Sequence, residues 1–431
     1  MRFEHPDHPE LGVRLGYGLN LVPTEDLAGV LAGLEQVAIP LRERLAPAER
    51  AFGIGAWLPA DVAATFVENE ADREAWLTAL ADGGLDPFTF NAFPAGDFHR
   101  RGLKAGVFRP TWGEPERLAF TLAVARLATC ARAARGGSRE GQHLSISTHA
   151  GRFGAWRDEG ERERCAEDLV RAALELARLE AEHGERVVLA LEPEPRSSAN
   201  DTRELEQLFT AIARTAAARK AEAAAARHLG ACLDTCHAAV EFERPAEALE
   251  RATAHGVPLG KLQFSSALAL CDPRDALGRE QLLAMDEPTY LHQVTARRGA
   301  ALARVADLPE LRARCTARDP GWIDADEWRC HFHVPVDLAV LGEGDTRLRT
   351  TRSDADELLA EVLAHPERWG SRELHVEVET YTWSVLRRHR ALAGELVEGL
   401  EREWRHAAGR LAAAGWRAGA SEAPGAAGGA R

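Results

Sequence analysis

The chain has 431 residues, of which 45% are hydrophobic and 28% charged, and its 53 Lys and Arg against 67 Asp and Glu give a formal net charge of −14. This acidic balance, without a Lys/Arg cluster interleaved with aromatic residues, argues against nucleic acid as a partner. The seven scattered cysteines do not indicate a disulfide framework. Because no apolar run reaches bilayer length and residues 1–12 do not resemble a signal peptide, we expect a cytoplasmic protein.

Eight short apolar runs recur along the chain, with Ala-, Leu- and Glu-rich segments between them. They cover residues 15–21, 52–58, 87–93, 143–149, 186–192, 229–235, 260–266 and 373–379. Continuous apolar runs of this length are typical of parallel strands buried on both faces. Residues 26–37, 59–84 and 167–184 carry helical start and stop signals. Eight βα repeats predict a closed (β/α)8 TIM barrel, and a doubly wound sheet with extra strands is the alternative.

The interval between the seventh and eighth runs is much longer than the others. We predict an insertion over residues 268–350, with strand-like pieces at 289–294 and 328–336 that form a hairpin or extend the barrel mouth. Residues 1–416 are predicted to form one TIM-barrel domain around this insertion. Residues 417–431 are rich in Gly, Ala and Pro and are predicted to be a flexible tail.

Polar side chains crowd the C-terminal ends of the apolar runs, where TIM barrels carry their active sites. They are Asn20, Asn91, His149, Glu192, Glu194, Asp234, His237, Gln263, Glu377 and Glu379. Taken singly, each acid is more often an ordinary loop residue or a helix N-cap. Carboxylates that converge in a barrel mouth need a compensating charge, and together with histidines they suit Mn²⁺, Mg²⁺, Co²⁺ or Zn²⁺. We predict a divalent metal site of Glu192, Asp234 and Glu379, with His237 or Gln263.

Two local patterns rank the carboxylates. In LEPEP, we favour Glu192 over Glu194 as a ligand because Glu192 is nearer the strand. In HVEVETYTW, Glu377 and Glu379 share one face of the strand, and we favour Glu379 because it is nearer the mouth.

Histidines in two further motifs are candidates for the same site. The sequence D-T-C-H puts His237 three residues after Asp234, so both can face one ion or substrate, and the intervening Cys236 is predicted to be buried packing. In HFHVP, His331 and His333 lie on one strand face at a spacing that can bind a metal. Hydrogen bonding within a hairpin is an equal alternative, unless the insertion folds over the barrel and brings them to the site.

Substrate contacts are predicted from the loop after the third run and from the rare lysines. The loop NAFPAGDFH holds Asn91 and His99 and forms a substrate wall, although aromatics in such loops more often serve packing. Lys104 and Lys261 are two of only three lysines, and each can neutralise a phosphate or an enolate, or form an ordinary salt bridge. Asn20, after the first run, completes the predicted substrate-binding set. No dinucleotide, P-loop or serine-hydrolase motif occurs in a suitable context.

The ordered motifs resemble those of the bacterial EboE metabolite traffic proteins over about residues 8–385. They are GYGLN, NAFPAGDFH, SIST, LEPEP, CLDTCHAAVEFE, GKLQFSSAL, YLHQV, HFHVPV and HVEVETYTW. That family belongs to the xylose-isomerase-like TIM barrels, so the resemblance implies the same barrel. It also implies a small metabolite destined for export, and a prenyltransferase-like membrane protein as pathway partner.

The resemblance further implies a ligand set. In the ketose 3-epimerase branch of the superfamily, a Glu, an Asp, a His and a Glu at the ends of strands five to eight hold the metal. Glu192, Asp234, Gln263 and Glu379 occupy these places here, with His237 in the substrate-contacting place. Gln263 replaces the expected histidine, and His333 is included as the ligand that fills the gap.

The leading hypothesis is a metal-dependent isomerase or epimerase of a small sugar, polyol or hydroxy-carbonyl compound. In it, Glu192 and Glu379 exchange a carbon-bound proton through an enediolate while His237 orients a hydroxyl. One alternative is a barrel that binds and escorts a metabolite to a membrane partner without catalysis. A metal-dependent phosphodiesterase is the other.

Overall fold

The structure is a computed structural model that describes residues 1–46, 51–96, 99–138, 140–342, 344–388, 392 and 394–419. An antiparallel hairpin of β1 (Arg2–His5) and β2 (His8–Gly18) opens the chain. Six more strands follow before the insertion: β3 (Phe52–Trp57), β4 (Leu85–Asn91), β5 (Leu144–His149), β6 (Val187–Glu192), β7 (Leu229–Asp234) and β8 (Leu259–Phe264).

The insertion contributes five strands, and the last barrel strand comes after them. The five are β9 (Ser266–Leu270), β10 (Val294–Arg298), β11 (Ala301–Val305), β12 (Glu327–Val334) and β13 (Arg349–Thr350). Strand β14 (Glu373–Val378) then pairs in parallel with both β8 and β2 and so closes the sheet. Strands β2 to β8 and β14 form a closed parallel barrel, which confirms the predicted (β/α)8 fold.

Helices occupy the connections on the outside of the barrel and in the insertion. They are α1 (Leu27–Gly33), α2 (Ile39–Leu45), α3 (Ala60–Glu68), α4 (Glu70–Asp82), α5 (Pro115–Ala133), α6 (Glu159–His183), α7 (Thr202–Arg219), α8 (Glu222–His228), α9 (Thr235–Val240), α10 (Pro245–Ala252), α11 (Ala276–Leu283), α12 (Leu308–Thr316), α13 (Pro320–Ile323), α14 (Arg352–Ala364), α15 (Trp383–Arg388) and α16 (Leu396–Ala413). The longest, α6, starts at the N-cap Asp158 and ends at Gly184 with φ +74°. Among the described helices, none has the length and apolarity to cross a membrane.

The eight predicted runs all overlap barrel strands, but the first was placed too late. Strand β2 begins at His8, because residues 8–14 pair with β1, and it ends at Gly18. Asn20 therefore lies in the turn after the strand.

The insertion forms an antiparallel sheet in the order β11-β10-β12-β9-β13, here called the cap sheet. The predicted piece 328–336 overlaps β12, whereas the piece 289–294 reaches β10 only at Val294. Strands β10 and β12 are antiparallel neighbours, and β11 is the strand that follows β10 as its hairpin partner. The cap sheet has its own apolar core, which includes Leu268, Trp328 and Phe332 and is shared with Tyr381, just after β14. This shared core seats the cap against the barrel mouth.

The predicted tail is ordered at its start. Residues Arg417–Ala418 form strand β15, which pairs antiparallel with β1 and extends the main sheet. Hydrogen bonding to β1 orders these two residues despite the Gly- and Ala-rich composition that follows. The rest of the predicted tail, residues 420–431, lies outside the described residues.

The lower end of the barrel interior, on the side of the N-terminal strand ends, holds a cluster of charged side chains. Arg14 Nη1 lies 2.8 Å from Asp86 Oδ2, and Arg14 Nε lies 3.0 Å from Glu373 Oε2. Burial alone would raise the pKa of Asp86, but Arg14, Arg132 and Arg135 outweigh burial and hold this pKa well below its usual value. The cluster is therefore ionised at neutral pH.

A second ion pair fills the middle of the barrel. Lys261 and Glu377 are fully buried and in direct contact. Lys261 Nζ also donates to Asn91 Oδ1 at 2.7 Å and to Ser147 Oγ at 3.0 Å. Gly55 makes room for this pair, because a Cβ there would lie 1.6 Å from Glu377 Oε1.

One buried carboxylate connects the last helix to the barrel and the cap. Glu403 of α16 accepts hydrogen bonds from Tyr17 Oη (2.7 Å), Trp383 Nε1 (2.9 Å), Thr380 Oγ1 (2.6 Å) and the Val336 amide (3.2 Å). Burial raises the pKa of Glu403 to about 7, although these donors favour the ionised form. The contacts anchor the segments that follow β12 and β14.

We predict that Glu403→Ala lowers the free energy of unfolding by about 3–5 kcal/mol, because it leaves four buried donors unsatisfied. Urea denaturation of the two proteins measures the difference. Glu398→Ala, at an exposed position of the same helix, should change stability by less than about 0.5 kcal/mol. Equal effects of the two substitutions would contradict the anchoring role.

We also predict that Asp86→Asn destabilises the fold in a pH-dependent way. A carboxyl whose pKa is depressed on folding contributes stability above its unfolded pKa near 4, and this contribution is lost as pH falls through its folded pKa. The variant should lose roughly 3 kcal/mol at pH 7, and its deficit against the parent should shrink below pH 4. Urea titrations at pH 7, 4 and 3 test this, with exposed Asp61→Asn as control. A deficit that does not change with pH would contradict the ionic explanation.

Candidate metal centre in the barrel mouth

A cavity lies where the C-terminal ends of the barrel strands meet the cap sheet. It encloses about 600 Å³ of space not filled by protein atoms, counted out to its open mouth. Its polar lining comes mainly from the barrel ends, from β12 and from the segment before β10, and it includes Asn20, Glu192, Glu194, His237, Gln263, Gln293, His331, His333 and Glu379. Most of the residues predicted to form the site therefore do meet in one cavity.

Three histidines converge in this cavity through the same ring atom. His331 Nε2 lies 3.1 Å from His237 Nε2 and 3.1 Å from His333 Nε2, and the third Nε2 pair, His237 and His333, is 3.4 Å apart. All three side chains are buried. His237 comes from α9 of the barrel, and the other two come from β12 of the cap sheet.

The partner of each Nδ1 atom fixes the tautomer. His333 Nδ1 donates to the Glu379 backbone carbonyl at 3.0 Å, and a carbonyl can only accept. His237 Nδ1 lies 3.2 Å from the Pro193 carbonyl, again an acceptor. His331 Nδ1 faces Gln293 Oε1 at 2.8 Å. In each ring the proton is therefore on Nδ1, so a neutral ring turns its Nε2 lone pair to the common point.

The amide orientation of Gln293 supports this assignment for His331. Gln293 Nε2 donates to the Pro195 carbonyl at 3.0 Å, so its Oε1 is the end that accepts from His331. Burial lowers the pKa of His331 well below the usual value, and it lowers the pKa of His333 to about 4. Both rings are neutral at pH 7.

Three facing nitrogen atoms are compatible with a shared cation. The carboxylates of Asp234, Glu194 and Glu192 outweigh burial and raise the pKa of His237 well above the usual value. A proton on His237 Nε2 satisfies at most one of the three contacts and leaves the lone pairs of His331 and His333 face to face. Ligands at the usual Zn–N distance in tetrahedral geometry are roughly 3.3 Å apart. The observed separations match that arrangement.

Asp234 supplies a carboxylate to the same point. Its Oδ1 accepts from the Cys236 amide (2.6 Å), the His237 amide (3.1 Å) and Ser265 Oγ (2.7 Å), as the N-cap of α9. Its Oδ2 is buried, has no hydrogen-bond partner among the described residues, and lies 4.0 Å from His333 Nε2. Burial opposes ionisation, but His237, His333 and Ser265 lower the pKa of Asp234. The free oxygen of an ionised carboxylate thus joins His237 and His333 in a group of donors that could hold one ion.

Two glutamates at the end of β6 surround His237. Glu192 Oε1 lies 3.1 Å and Glu194 Oε2 3.3 Å from His237 Nδ1. Glu194 also approaches His331 and belongs to a cluster with both histidines that fits one ion. Burial raises the pKa of Glu192, and it raises that of Glu194 to about 8. Glu192 lies on the Nδ1 side of His237, whereas Glu194 reaches the histidine cluster.

Glu379 and Gln263 form a separate pair in the cavity. Gln263 Nε2 donates to Glu379 Oε2 at 2.8 Å, and Asn20 Nδ2 donates to Glu379 Oε1 at 2.6 Å. Gln263 Oε1 accepts from Cys232 Sγ at 3.0 Å. Burial raises the pKa of Glu379 well above the usual value, and neighbouring carboxylates add to this effect. The hydrogen bonds of Gln263 run to Glu379 and Cys232, not to the three histidines.

The remaining predicted substrate contacts are engaged elsewhere. Lys261 and Asn91 belong to the buried ion pair inside the barrel and do not line the cavity. Lys104 lines it, but its Nζ donates to the carbonyls of Glu287 and Tyr290 and contacts Asp307 at 2.9 Å. These lysines therefore act as structural cations.

His99 holds the loop after β4 against the insertion. Its Nδ1 contacts the Tyr290 hydroxyl at 2.7 Å, and its Nε2 faces the Asn20 carbonyl at 3.0 Å. Residues 97 and 98 of the predicted substrate loop lie outside the described residues.

Sequence reasoning weighed His331 without placing it among the metal ligands, and it passed over Glu194. The i, i+2 spacing of HFHVP was the available signal for His331. Its meaning depends on a contact across 94 residues with His237, which strand counting does not predict. The pairing of β12 with β9 is also irregular between Cys330 and Val334, in the stretch that holds both histidines.

No protein-family model and no curated protein matches this chain. Solved structures similar to it include an L-ribulose 3-epimerase, at 13% identity over 93% of this chain and 95% of the other, with a TM-score of 0.44. The IOLI protein with a bound zinc atom has 11% identity, coverage of 93% and 99%, and a TM-score of 0.44. A xylose isomerase domain protein from Alicyclobacillus acidocaldarius has 14% identity, coverage of 94% and 99%, and the same TM-score.

We predict that the purified chain, reloaded with Zn²⁺ or Co²⁺, binds about one equivalent of metal, because the Nε2 atoms of His237, His331 and His333 meet at one point beside Asp234. His331→Ala and His333→Ala should each reduce bound metal to well under one equivalent. Gln263→Ala should keep it, since Gln263 bonds to Glu379 instead. Inductively coupled plasma mass spectrometry after gel filtration gives the stoichiometry.

His365→Ala, at a partly exposed position, is the matched control and should retain the metal. Metal loss in Gln263→Ala with retention in both cap variants would overturn the three-histidine site in favour of one made by the strand ends.

Proposed function

We propose that the chain is a divalent-metal-dependent isomerase or epimerase of a small hydroxy-carbonyl compound. The observation that carries the proposal is the meeting of three Nε2 atoms beside the unpartnered Oδ2 of Asp234. This point lies in a cavity at the mouth of a closed parallel barrel, where such enzymes bind their substrates.

His237, His331, His333 and Asp234 would hold the ion. Three neutral imidazoles and one carboxylate suit a borderline cation such as Zn²⁺ or Co²⁺ better than Mg²⁺, which prefers oxygen ligands. When bound, a divalent ion supplies Lewis acidity to neighbouring substrate oxygens. The acceptors on Nδ1, including Glu192 on His237, hold the rings in the coordinating orientation.

Glu379 is the proposed proton-transfer group. Asn20 and Gln263 fix its two oxygens in the cavity wall, so the carboxylate does not have to reorient during proton transfer. In an isomerisation, Glu379 takes the proton from the carbon that bears the hydroxyl, and an enediolate forms. The carbon-bound proton returns to the former carbonyl carbon while the hydroxyl proton passes to the former carbonyl oxygen, so the hydroxyl and the carbonyl exchange places. In an epimerisation, Glu379 removes the proton from one face of the carbon, and Glu192, another of the glutamates that line the cavity, returns a proton to the opposite face of the same carbon.

Escort without catalysis is the second candidate function. The observation that favours it is Gln263, an amide in the place where the resemblance implies an imidazole ligand. A role in metabolite export and a prenyltransferase-like membrane partner are proposals that rest on the resemblance to EboE proteins.

We predict that the Zn²⁺- or Co²⁺-loaded chain exchanges the carbon-bound hydrogens of an α-hydroxyketone in D₂O. Proton NMR of hydroxyacetone, dihydroxyacetone and D-fructose measures the loss of signal. Glu379→Gln should slow the exchange by at least about 100-fold, because it removes the proton acceptor while keeping the side-chain shape. Its metal content should stay unchanged, since Glu379 bonds to Asn20 and Gln263.

Glu357→Gln, at an exposed position on α14, is the control and should exchange at the parent rate. Saturable binding of these ketones without any exchange would favour the escort function. Full exchange in Glu379→Gln would remove Glu379 from the mechanism.

A further inference from the structure

The cavity wall has two parts of different chemistry. Its polar part consists of the strand-end groups and the histidines described above. The outer part comes from the loop after β4 and from the segments before β10 and after β14, and it is apolar. It includes Phe93, Leu103, Val107, Phe108, Leu291 and Tyr381. A ligand that reaches the point where the three histidine Nε2 atoms meet therefore also contacts these apolar side chains.

Several polar groups in the outer part are engaged with the protein. The Tyr290 hydroxyl contacts His99 Nδ1 at 2.7 Å. Lys104 is the one Lys or Arg among the described residues that line the cavity, and its ammonium group contacts two carbonyls and Asp307. No described lysine or arginine of the lining is thus left to neutralise a phosphate or a carboxylate.

The charge of the polar part points the same way. Three glutamates line the cavity: Glu192, Glu194 and Glu379. Their described hydrogen-bond and ion-pair partners are histidine rings and side-chain amides. These acidic side chains offer an anionic ligand no positive charge to pair with. Leu291 is partly exposed, so hydrocarbon faces the open part of the cavity.

We propose that the substrate is an uncharged, amphipathic hydroxy-carbonyl compound, with an aromatic or branched aliphatic group on the end away from the reacting carbons. This proposal rests on the proposed function for the reacting end only. A free sugar would turn hydroxyl groups against Leu103, Val107 and Leu291, where hydrocarbon cannot replace its hydrogen bonds to water. An apolar group in the same place gains from leaving water.

Three probes with a shared α-hydroxyketone head test the proposal: hydroxyacetone, 2-hydroxyacetophenone and dihydroxyacetone phosphate. Isothermal titration calorimetry of the full chain, with and without Zn²⁺, gives their dissociation constants. We expect 2-hydroxyacetophenone to bind at least roughly tenfold tighter than hydroxyacetone, from burial of its ring. Dihydroxyacetone phosphate should bind most weakly.

Leu291→Asn should weaken binding of the phenyl compound more than binding of hydroxyacetone, and so reduce the preference between them. Val107→Asn is the second variant, and Leu174→Asn, exposed on α6, should leave the preference intact. Equal affinity for hydroxyacetone and the phenyl compound, tightest binding of the phosphate, or an intact preference in both cavity variants would each overturn the proposal.

The outcomes also separate this proposal from the proposed function. A phenyl preference in a chain that binds no metal and exchanges no proton would support the amphipathic ligand and refute the isomerase. Metal binding and proton exchange without a phenyl preference would support the isomerase and refute the amphipathic ligand.

Discussion

Compensation of buried charge governs the inside of this barrel. At the lower end, Arg14 pairs with Asp86 and Glu373, and in the middle Lys261 pairs with Glu377. Each of these carboxylates has a cation built into the chain. At the mouth the pattern changes: in the described residues, the ion-pair partners of Glu192, Glu194 and Asp234 are histidines. A buried set of carboxylates is costly without a cation, so the layer that lacks Lys and Arg is the one suited to an added metal ion.

Strand β14 and the residue that follows it contribute polar side chains along the whole length of the barrel interior. Glu373, His375 and Glu377 alternate along it with apolar residues, and Glu379 continues the same face at the mouth. These inward side chains need space inside the barrel. At Gly55 of β3, the close approach of Glu377 requires a residue without a side chain. One alternating strand thus places a polar group in the lower, middle and mouth layers of the barrel.

The parallel strands could be predicted from the sequence because burial on both faces leaves continuous apolar runs. The grouping of Glu192, Asp234 and Glu379 in one mouth followed, since parallel strands deliver their ends to one side. The three-histidine point could not be predicted in the same way. It depends on how β12 packs in the cap sheet and on the Nδ1 partners Gln293, Pro193 and Glu379, none of which has a local pattern. The role of Lys261 could not be predicted for a different reason. A rare lysine at a strand start is equally compatible with a ligand contact and with an ion pair inside the barrel.

The donor set at the mouth is divided between two parts of the fold. Asp234 and His237 belong to the barrel, whereas His331 and His333 belong to the cap sheet. An ion that bridges them acts as a removable cross-link, and thermodynamic reciprocity requires that cap docking and ion affinity strengthen each other by the same factor. Chelation of the ion would then weaken the docking of the cap sheet on the barrel as well as empty the site. Metal supply would therefore control access to the cavity as well as its chemistry.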